Sequence, residues 1–551
     1  MLIQKKLFGD EICLEPESYG GIYGMHKYWG KKPFNIISNF IIENTEKGDV
    51  VLDSFCGSGV TAIEALRINR RSVAFDINPV AINIARASME PVDVRKLDAE
   101  FKAIKHELEN VINSLYATKC PLCGKESTVT HVIWTGDEPQ EVWYKCSCKK
   151  GKIIRPAEDL DSTSANSPKL NPLWYPKTRM IANSRMNVSE GQRISDLFTT
   201  RALTGLSFLR HRIKKIEDAS VRNTMELVFS GALSQASKLV FVIRNRKNSS
   251  NNGAEVGSWV VGYWVPTEHF EVNVWNCFEN RYKRVLKGKK EITKLFKKSP
   301  VITDTYSEDK WDVLIKKCTA TMLDLPDDSV DYVFIDPPHV NRILYLEMSL
   351  MWNSWLGLDN NLNWNDEIVI SESKERNKDD RDYTNLMKKA ISEIHRVLKP
   401  GKVMSIAFNS LDDGTWKNLF DICTECGFRP NNIEPLEYSA TSVVQDNRKN
   451  ALKTDFVISF VNDEREKRSI KMSESIKDIS VAVESKLSGG KCLETYEILN
   501  SLFTESVPEC FFYAPTKILY TLDTNDKFSY KDGKWSLTNY SVNNTEVDFD
   551  R

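Results

Sequence analysis

Two segments near the start of the chain combine acids with glycines in a spacing that suits a nucleotide-like ligand. Asp53 ends a predicted strand and is followed by a turn that contains Gly57 and Gly59. Glycines at a strand-to-helix turn let a ligand approach the backbone, and the next helix begins with unpaired N–H groups. Asp76 ends the following strand, where a carboxylate can accept hydrogen bonds from ribose hydroxyls. Together these features predict a nucleoside cofactor; a tight turn and a capping acid are the alternative.

Four of the 12 cysteines form two close pairs, which are Cys120 with Cys123 and Cys146 with Cys148. Two thiolate pairs on tight turns can supply the four soft ligands of a tetrahedral zinc ion. We therefore predict a structural zinc site, because four cysteine ligands leave no open position for catalysis. Chance clustering of free thiols is the alternative.

The sequence Asp336-Pro337-Pro338-His339 directly follows a predicted buried strand, Val330–Ile335. Taken with the Asp53–Gly59 turn, it resembles the D-P-P-Y motif of the amino-methylating DNA methyltransferases. Those enzymes transfer a methyl group from S-adenosylmethionine to N6 of adenine or N4 of cytosine. The resemblance covers residues 25–94 and 303–461. The alternative is that the two prolines simply end a strand.

The resemblance implies that residues 336–339 are catalytic. An exocyclic base amine is a weak nucleophile, because its lone pair is delocalised into the ring. The Asp336 carboxylate and the Pro337 carbonyl would hold the amine hydrogens and aim the lone pair at the methyl group. Pro338 would help to keep that carbonyl out of sheet pairing. His339 stands where the family usually has an aromatic residue that stacks on the flipped base; either the imidazole stacks, helped by Tyr345, or the site has lost activity.

The resemblance also implies which residues contact the cofactor. Residues 25–33 look like the segment that caps the methionine end of the cofactor, with a surface loop as the alternative. The loop after the third strand would lie near the adenine. The implied cofactor contacts are His26, Lys31, Pro33, Asp53, Phe55, Cys56, Gly57, Ser58, Gly59, Thr61, Asp76, Asn78 and Thr321.

Alternation of strands and helices predicts the elements that position these residues. The alternation predicts an α/β fold with a parallel sheet flanked by helices. The resemblance implies that this sheet is a Rossmann-like class I methyltransferase sheet with a large inserted zinc-ribbon and helical recognition region, and a small C-terminal winged-helix-like unit is expected to follow it. In the insertion, the aromatic segment Ser258–Val265 has a strand-like pattern. In the second part of the core, Lys399–Gly401 is a predicted turn before a strand. The predicted units are residues 1–95 (first part of the core, cofactor site), 96–300 (insertion, with the zinc ribbon at 118–150 and a target-recognition region), 301–462 (second part of the core, D-P-P-H) and 463–551 (winged-helix-like).

Charge is nearly balanced, with 75 Lys and Arg residues against 76 Asp and Glu residues. No global field therefore draws the chain to nucleic acid. Basic residues do cluster within the insertion, at 209–215, 244–247 and 281–298, and these clusters predict phosphate contacts; solvated faces are the alternative.

The resemblance implies a site-specific methyltransferase that acts on double-stranded DNA, with adenine N6 favoured because D-P-P is commoner in adenine enzymes. The alternatives are an N4-cytosine DNA methyltransferase, an RNA amino-methyltransferase and a catalytically weak DNA-binding subunit of a defence system. Restriction or phage-defence proteins are the expected partners. No apolar run reaches the ~20 residues that span a bilayer, so no membrane partner is expected. The expected location is cytoplasmic.

Overall fold

A computed structural model describes residues 19–166, 168, 170–244, 254–296, 298–307, 310–339, 343–358, 362–410, 412–436, 455–463, 471–493, 495–506, 511–531 and 534–538. The strands in these ranges are β1 (Val50–Asp53), β2 (Arg71–Asp76), β3 (Ala117–Lys119), β4 (Glu126–Thr135), β5 (Glu138–Cys146), β6 (Lys149–Pro156), β7 (Val240–Ile243), β8 (Glu255–Val256), β9 (Glu268–Val272), β10 (Ile302–Thr303), β11 (Val313–Lys317), β12 (Val330–Ile335), β13 (Leu398–Phe408), β14 (Phe428–Leu436), β15 (Asp455–Asn462), β16 (Lys471–Ser473), β17 (Phe511–Tyr513), β18 (Phe528–Lys531) and β19 (Lys534–Leu537). The α-helices are α1 (Phe34–Asn44), α2 (Val60–Arg67), α3 (Pro79–Met89), α4 (Val94–Ser114), α5 (Asp159–Asn166), α6 (Thr200–Ile213), α7 (Ala219–Ala236), α8 (Val274–Leu295), α9 (Tyr345–Leu356), α10 (Asp380–Val397), α11 (Asp413–Glu425), α12 (Ile476–Leu487), α13 (Thr495–Ser506) and α14 (Pro515–Thr524).

The central sheet has the strand order β10-β11-β2-β1-β12-β13-β15-β14. The strands from β10 to β13 run parallel, while β15 and β14 are antiparallel to their neighbours. Strand β1 pairs with β2 on one side and β12 on the other, so the chain order reverses there. Ligands of open α/β sheets bind beyond the carboxyl ends of the strands at such a reversal. The α/β class predicted from the sequence is confirmed.

The central strands are buried on both faces, which explains their continuous apolar runs. All six residues of Val330–Ile335 are buried, and so are the four residues of Val50–Asp53. Because β1 and β12 are parallel neighbours, Asp53 and Asp336 lie at the carboxyl ends of adjacent strands. This adjacency places the predicted cofactor turn beside the predicted catalytic motif.

The turn predicted at Lys399–Gly401 is part of strand β13 instead. Helix α10 ends at Val397, and β13 begins at the next residue. The pairing of β12 with β13 shifts register between Val330 and Tyr332, and Gly401 has a φ of 75°. Such an irregularity accommodates Pro400, which cannot donate to a regular ladder.

The insertion contains an antiparallel sheet that the sequence did not predict, with the order β6-β5-β4-β9-β7-β8 and β3 beside β4. The prediction of a strand-like patch at Ser258–Val265 is wrong, because this segment is irregular chain. Its Trp259 and Tyr263 are buried, and the Tyr263 hydroxyl lies 2.8 Å from the Met348 carbonyl oxygen of α9. The aromatic residues therefore join the insertion to the core, whereas Trp264 is exposed.

At the C-terminal end, helices α12, α13 and α14 precede the antiparallel pair β18–β19. Their apolar residues pack on the core through Phe503, which lies against Trp416 of α11. Asp532-Gly533, a dipeptide typical of a tight hairpin turn, lies between β18 and β19 in the sequence and outside the described residues. The winged-helix interpretation stays a prediction.

Among the described residues, every helix is too short or too polar to cross a bilayer.

Candidate functional site

A cavity lies beyond the carboxyl ends of β1, β2 and β12, with a volume of about 880 Å³ including its open mouth. Its position at the reversal of strand order is typical of cofactor sites in open α/β sheets. The residues predicted as cofactor contacts or as catalytic that line it are Lys31, Asp53, Phe55, Cys56, Gly57, Ser58, Thr61, Asp76, Asp336 and Pro338.

Asp76 is held by two backbone N–H groups, one in the glycine turn and one just before helix α3. Its two carboxylate oxygens accept hydrogen bonds from the N–H groups of Gly57 and Asn78, each at 2.8 Å. Burial raises the pKa of Asp76 to about 6, although these N–H groups act to lower it. Each oxygen keeps a further lone pair, so Asp76 can still accept ligand hydroxyls.

Asp53 is a second buried carboxylate in the lining of the same cavity. Its carboxylate accepts a hydrogen bond of 3.0 Å from the Phe55 N–H. Burial raises the pKa of Asp53 to about 7, while hydrogen bonding to Thr61 and Phe55 acts in the opposite direction. Two carboxylates with raised pKa values in one cavity are typical of a functional site.

The two glycines of the turn have different roles. Gly57 has a φ of 48°, and a Cβ there would lie 2.9 Å from the Tyr28 ring. Glycine at this position therefore allows the Tyr28 ring to lie directly against the turn. Gly59 has a φ of 80°, and a Cβ there would lie 2.8 Å from the Cβ of Ala85 in α3. Gly59 permits close helix packing and does not line the cavity.

Four further predicted cofactor contacts lie outside the lining of this cavity. Asn78 is buried, and its amide donates to Ser349 Oγ at 2.8 Å and to the Tyr28 hydroxyl at 3.2 Å. Pro33 caps helix α1. The Thr321 hydroxyl oxygen lies 2.9 Å from the hydroxyl oxygen of Thr319, and Thr319 lines the cavity.

His26 is the fourth of these residues, and its ring is buried away from the cavity. Its Nε2 lies 3.2 Å from the Ser230 hydroxyl of α7, and the ring meets Trp352 edge-on. Burial lowers the pKa of His26 to about 3, with Arg281 as a second cause. The imidazole is therefore neutral and positions the segment around it.

Asp336 stands between the cavity and a second, wider cleft that opens to solvent. The two spaces share Tyr28, Gly30, Lys31, Lys32, Asp336 and Tyr345. Pro338 lines the inner cavity, whereas Pro337 and His339 line the outer cleft. A group held at Asp336 can therefore meet molecules bound on both sides.

The motif is fixed from several directions. The Lys32 ammonium lies 2.8 Å from an Asp336 oxygen and 3.3 Å from Asp455. Strand β12 pairs with β13 only as far as Ile335, so residues 336–338 extend beyond the ladder. The Tyr383 hydroxyl donates to the Pro338 carbonyl at 2.9 Å.

His339 is held at the mouth of the outer cleft. Its Nε2 lies 3.3 Å from the Ala407 carbonyl oxygen and 3.6 Å from Asp336 Oδ1, and its ring meets Phe408 edge-on at 5.3 Å. Tyr345 instead stacks on Tyr28, with ring centroids 6.0 Å apart. Tyr345 and His339 both line the outer cleft, and the stacking of His339 on a base with help from Tyr345 stays a prediction.

Sequence reasoning missed Lys32 and Glu367 as parts of the site. Lys32 lies within the 25–33 segment, so a signal existed, but nothing local marks its partner. Glu367 lines the cavity and pairs with Arg376 at 2.7 Å. It also accepts a hydrogen bond of 2.9 Å from the Leu346 N–H. No sequence motif distinguishes it.

The four cysteines converge at one end of the insertion sheet. Their sulfur atoms all lie within 4.8 Å of one another. Cys120 and Cys148 are 3.6 Å apart, and Cys123 and Cys146 are 3.5 Å apart. Tetrahedral zinc with Zn–S bonds of ~2.3 Å requires neighbouring sulfurs ~3.8 Å apart. The donor set thus fits a metal ion.

Several basic residues predicted to contact phosphate are already paired within the chain. Arg212 binds Glu100 and Glu107 at 2.8 and 2.7 Å, and Lys214 binds Glu226 at 2.9 Å. Those residues therefore stabilise the insertion. Arg246 and Lys247 lie outside the described residues, whereas Arg281 and Arg284 line the outer cleft.

Comparison with known proteins identifies relatives for the first part of the chain. Residues 9–87 match a family model described as DNA methylase, of the N6/N4 methyltransferase type. The chain is similar to Type II methyltransferase M.MjaII of Methanocaldococcus jannaschii, with 29% identity over 16% of each chain. It is 36% identical to Type II methyltransferase M2.DpnII of Streptococcus pneumoniae over 12% of this chain and 24% of the relative. For Type II methyltransferase M.HpaI of Haemophilus parainfluenzae, the identity is 28% over 19% of this chain and 31% of the relative.

The matched segments thus span less than a third of the length of these relatives. Residues 9–87, which the family model matches, contain the cofactor turn. The family model and the relatives together confirm the resemblance to the amino-methylating DNA methyltransferases.

Proposed function

We propose that this protein is a site-specific DNA methyltransferase that transfers a methyl group from S-adenosylmethionine to an exocyclic base amine in double-stranded DNA. Adenine N6 is the favoured acceptor, on the family preference for D-P-P. The observation that carries the proposal is the position of Asp336, which lines both the inner cavity and the outer cleft. One carboxylate there can hold an amine from the cleft against a cofactor in the cavity.

The inner cavity fits a nucleoside cofactor. The Ser54 hydroxyl is buried, lines the cavity and has no hydrogen-bond partner among the described residues, so it suits a polar ligand. Asp76 would bind the ribose hydroxyls, and Phe55 and Ile77 would cover the adenine. When bound, S-adenosylmethionine supplies a methyl group on a sulfonium centre.

In the outer cleft, the target base would be flipped out of the duplex toward Asp336. The Asp336 carboxylate accepts an amine hydrogen and directs the nitrogen lone pair toward the inner cavity. His339 provides one wall for the base, and Tyr345, stacked on Tyr28, provides another. No protein nucleophile is needed, and the surplus amine proton leaves to solvent.

Four further assignments belong to this proposal. A structural zinc ion stabilises the end of the insertion sheet and is bound by Cys120, Cys123, Cys146 and Cys148. The C-terminal unit is a winged-helix-like DNA-binding element. The insertion contributes to target recognition, and the protein works with restriction or phage-defence partners.

The test is methyl transfer from labelled cofactor to duplex DNA, followed by mass spectrometry of the digested nucleosides. N6-methyladenine is the expected product. N4-methylcytosine would move the acceptor to cytosine, and label found only in RNA would favour an RNA amino-methyltransferase. If the protein binds cofactor and DNA but modifies no duplex, the DNA-binding-subunit alternative replaces the proposal. Sequencing modified bases in genomes with and without the protein gives the recognition site.

A further inference from the structure

The outer cleft carries an excess of positive charge. Its lining includes five cationic side chains, which are Lys27, Lys31, Lys32, Arg281 and Arg284. The carboxylates in the same lining are Asp336 and Asp455, and both are paired with Lys32. Four cations therefore remain without a carboxylate partner among the described residues.

Three of these four cations, Lys27, Lys31 and Arg281, donate hydrogen bonds to carbonyl oxygens. Lys31 donates to the carbonyls of Tyr23 and His26 at 2.9 and 2.8 Å. Lys27 donates to the carbonyl of Val260 at 3.2 Å. Neutral acceptors orient an ammonium group without cancelling its charge.

Arg281 and Arg284 lie three residues apart on α8, which places them on one face of that helix. Arg281 donates to the Met25 carbonyl at 3.3 Å. Its pKa is lowered to about 10 by burial and by the nearby Arg284. Burial, followed by the charge of Arg281, lowers the pKa of Lys31 to about 7. An anion in the cleft would relieve this repulsion.

The position of the charge indicates which ligand it serves. Lys27, Arg281 and Arg284 line the outer cleft but not the inner cavity. The charge therefore faces the substrate side of Asp336, where a polyanion would enter. Arginine guanidinium groups match the geometry of phosphate oxygens.

We propose that Lys27, Arg281 and Arg284 form a phosphodiester-binding site that grips the DNA backbone beside the flipped nucleotide. This inference rests on the proposed function, since it names the contact that holds the substrate at Asp336. It assigns to α8, an element of the insertion, a direct role at the mouth of the active site. The contact carries no base information, so it acts on every sequence alike.

The test measures how the affinity for a fluorescent, mixed-sequence duplex of about 30 base pairs depends on salt, with the full-length protein. The slope of log K against log salt is negative, and each lost phosphate contact reduces its magnitude by about 1. We expect R284Q to lower it by about 1 and R281Q/R284Q by about 2, with S-adenosylmethionine binding retained. Because Arg284 is exposed, R284Q alone keeps the test valid if the double variant fails to fold.

The matched controls are R212Q and K214Q, which remove insertion cations that are already paired with glutamates. Their slopes should equal that of the wild type. An unchanged slope for R284Q and R281Q/R284Q overturns the inference even if methyl transfer is observed. A slope loss seen with duplex RNA but not with DNA also overturns it. If the slope falls as expected but no base is methylated, the phosphodiester site stands and the proposed function fails.

Discussion

The ammonium group of Lys32 lies 2.8 Å from Asp336 Oδ2, joining residues that are far apart in the chain. Lys32 is buried, and it also reaches Asp455 at the start of β15. It thereby holds one oxygen of Asp336, while Oδ1 faces His339. Lys32 is a positioning residue for the carboxylate that is proposed to receive the base amine.

Replacing Asp336 by alanine should slow methyl transfer strongly while leaving cofactor binding nearly intact. The carboxylate is proposed to act on the amine, and losing one preorganised polar contact of this kind slows catalysis by about 10²–10³-fold. Methyl transfer to DNA and calorimetric titration with S-adenosylmethionine measure the two effects. Glu190→Ala, at an exposed loop position, is the control. Equal losses of transfer and of cofactor affinity would contradict the assigned role.

Replacing Lys32 by methionine should destabilise the protein by about 3 kcal/mol, because it leaves the buried carboxylate of Asp455 and the partly buried carboxylate of Asp336 without this cation. Adding Asp455→Asn should restore part of this loss, since the two positions share one ion pair. Urea unfolding of the single and double variants measures the coupling. Lys402→Met removes a half-exposed ammonium 3.9 Å from two carboxylates, and a change of less than about 1 kcal/mol is expected. Additive effects of Lys32→Met and Asp455→Asn would rule out the coupling.

The raised pKa of Asp53 predicts a stability that falls with rising pH. The folded state holds the proton up to about pH 7, whereas the unfolded chain releases it near the ordinary aspartate value of 3.8. The stabilisation is therefore complete below about pH 4 and is lost as the pH rises to about 7. Asp53→Asn should gain stability relative to the wild type between pH 5 and 8. Urea unfolding at several pH values in that window measures this difference.

The matched control for that experiment is Asp526→Asn, because Asp526 is exposed. Its difference from the wild type should stay constant over the same pH range. If the curve of Asp53→Asn runs parallel to that of the wild type, the Asp53 carboxyl is not protonated in the folded protein.

The cysteine cluster predicts about one zinc ion per chain. Cys148→Ser should lower the zinc content and the melting temperature, because structural zinc contributes directly to folding. Elemental analysis and thermal unfolding test this, with Cys492→Ser as the control because Cys492 is exposed and outside the cluster. Chelation should affect stability or DNA recognition before the chemical step. Zinc content that is equal in both variants would contradict the site.

The sequence predicted the parts of this protein that depend on local patterns. The turn after Asp53, the acid at Asp76 and the buried strand before Asp336 follow from strand and turn chemistry within short windows. The spacing of the four cysteines predicted their convergence, and the structure brings the sulfur atoms within 4.8 Å. The resemblance to a methyltransferase family rests on these same local motifs.

Only the tertiary structure decided which side chains face the cavity and what they meet. Gly59 packs against Ala85, Asn78 turns toward Ser349, and Glu367 enters the site from a segment with no motif. Pairing of Lys32 with Asp336 and the carboxylate-free cations of α8 likewise depend on long-range packing. Sequence periodicity reports the face of an element, but the partner of a side chain is set by how separate elements pack.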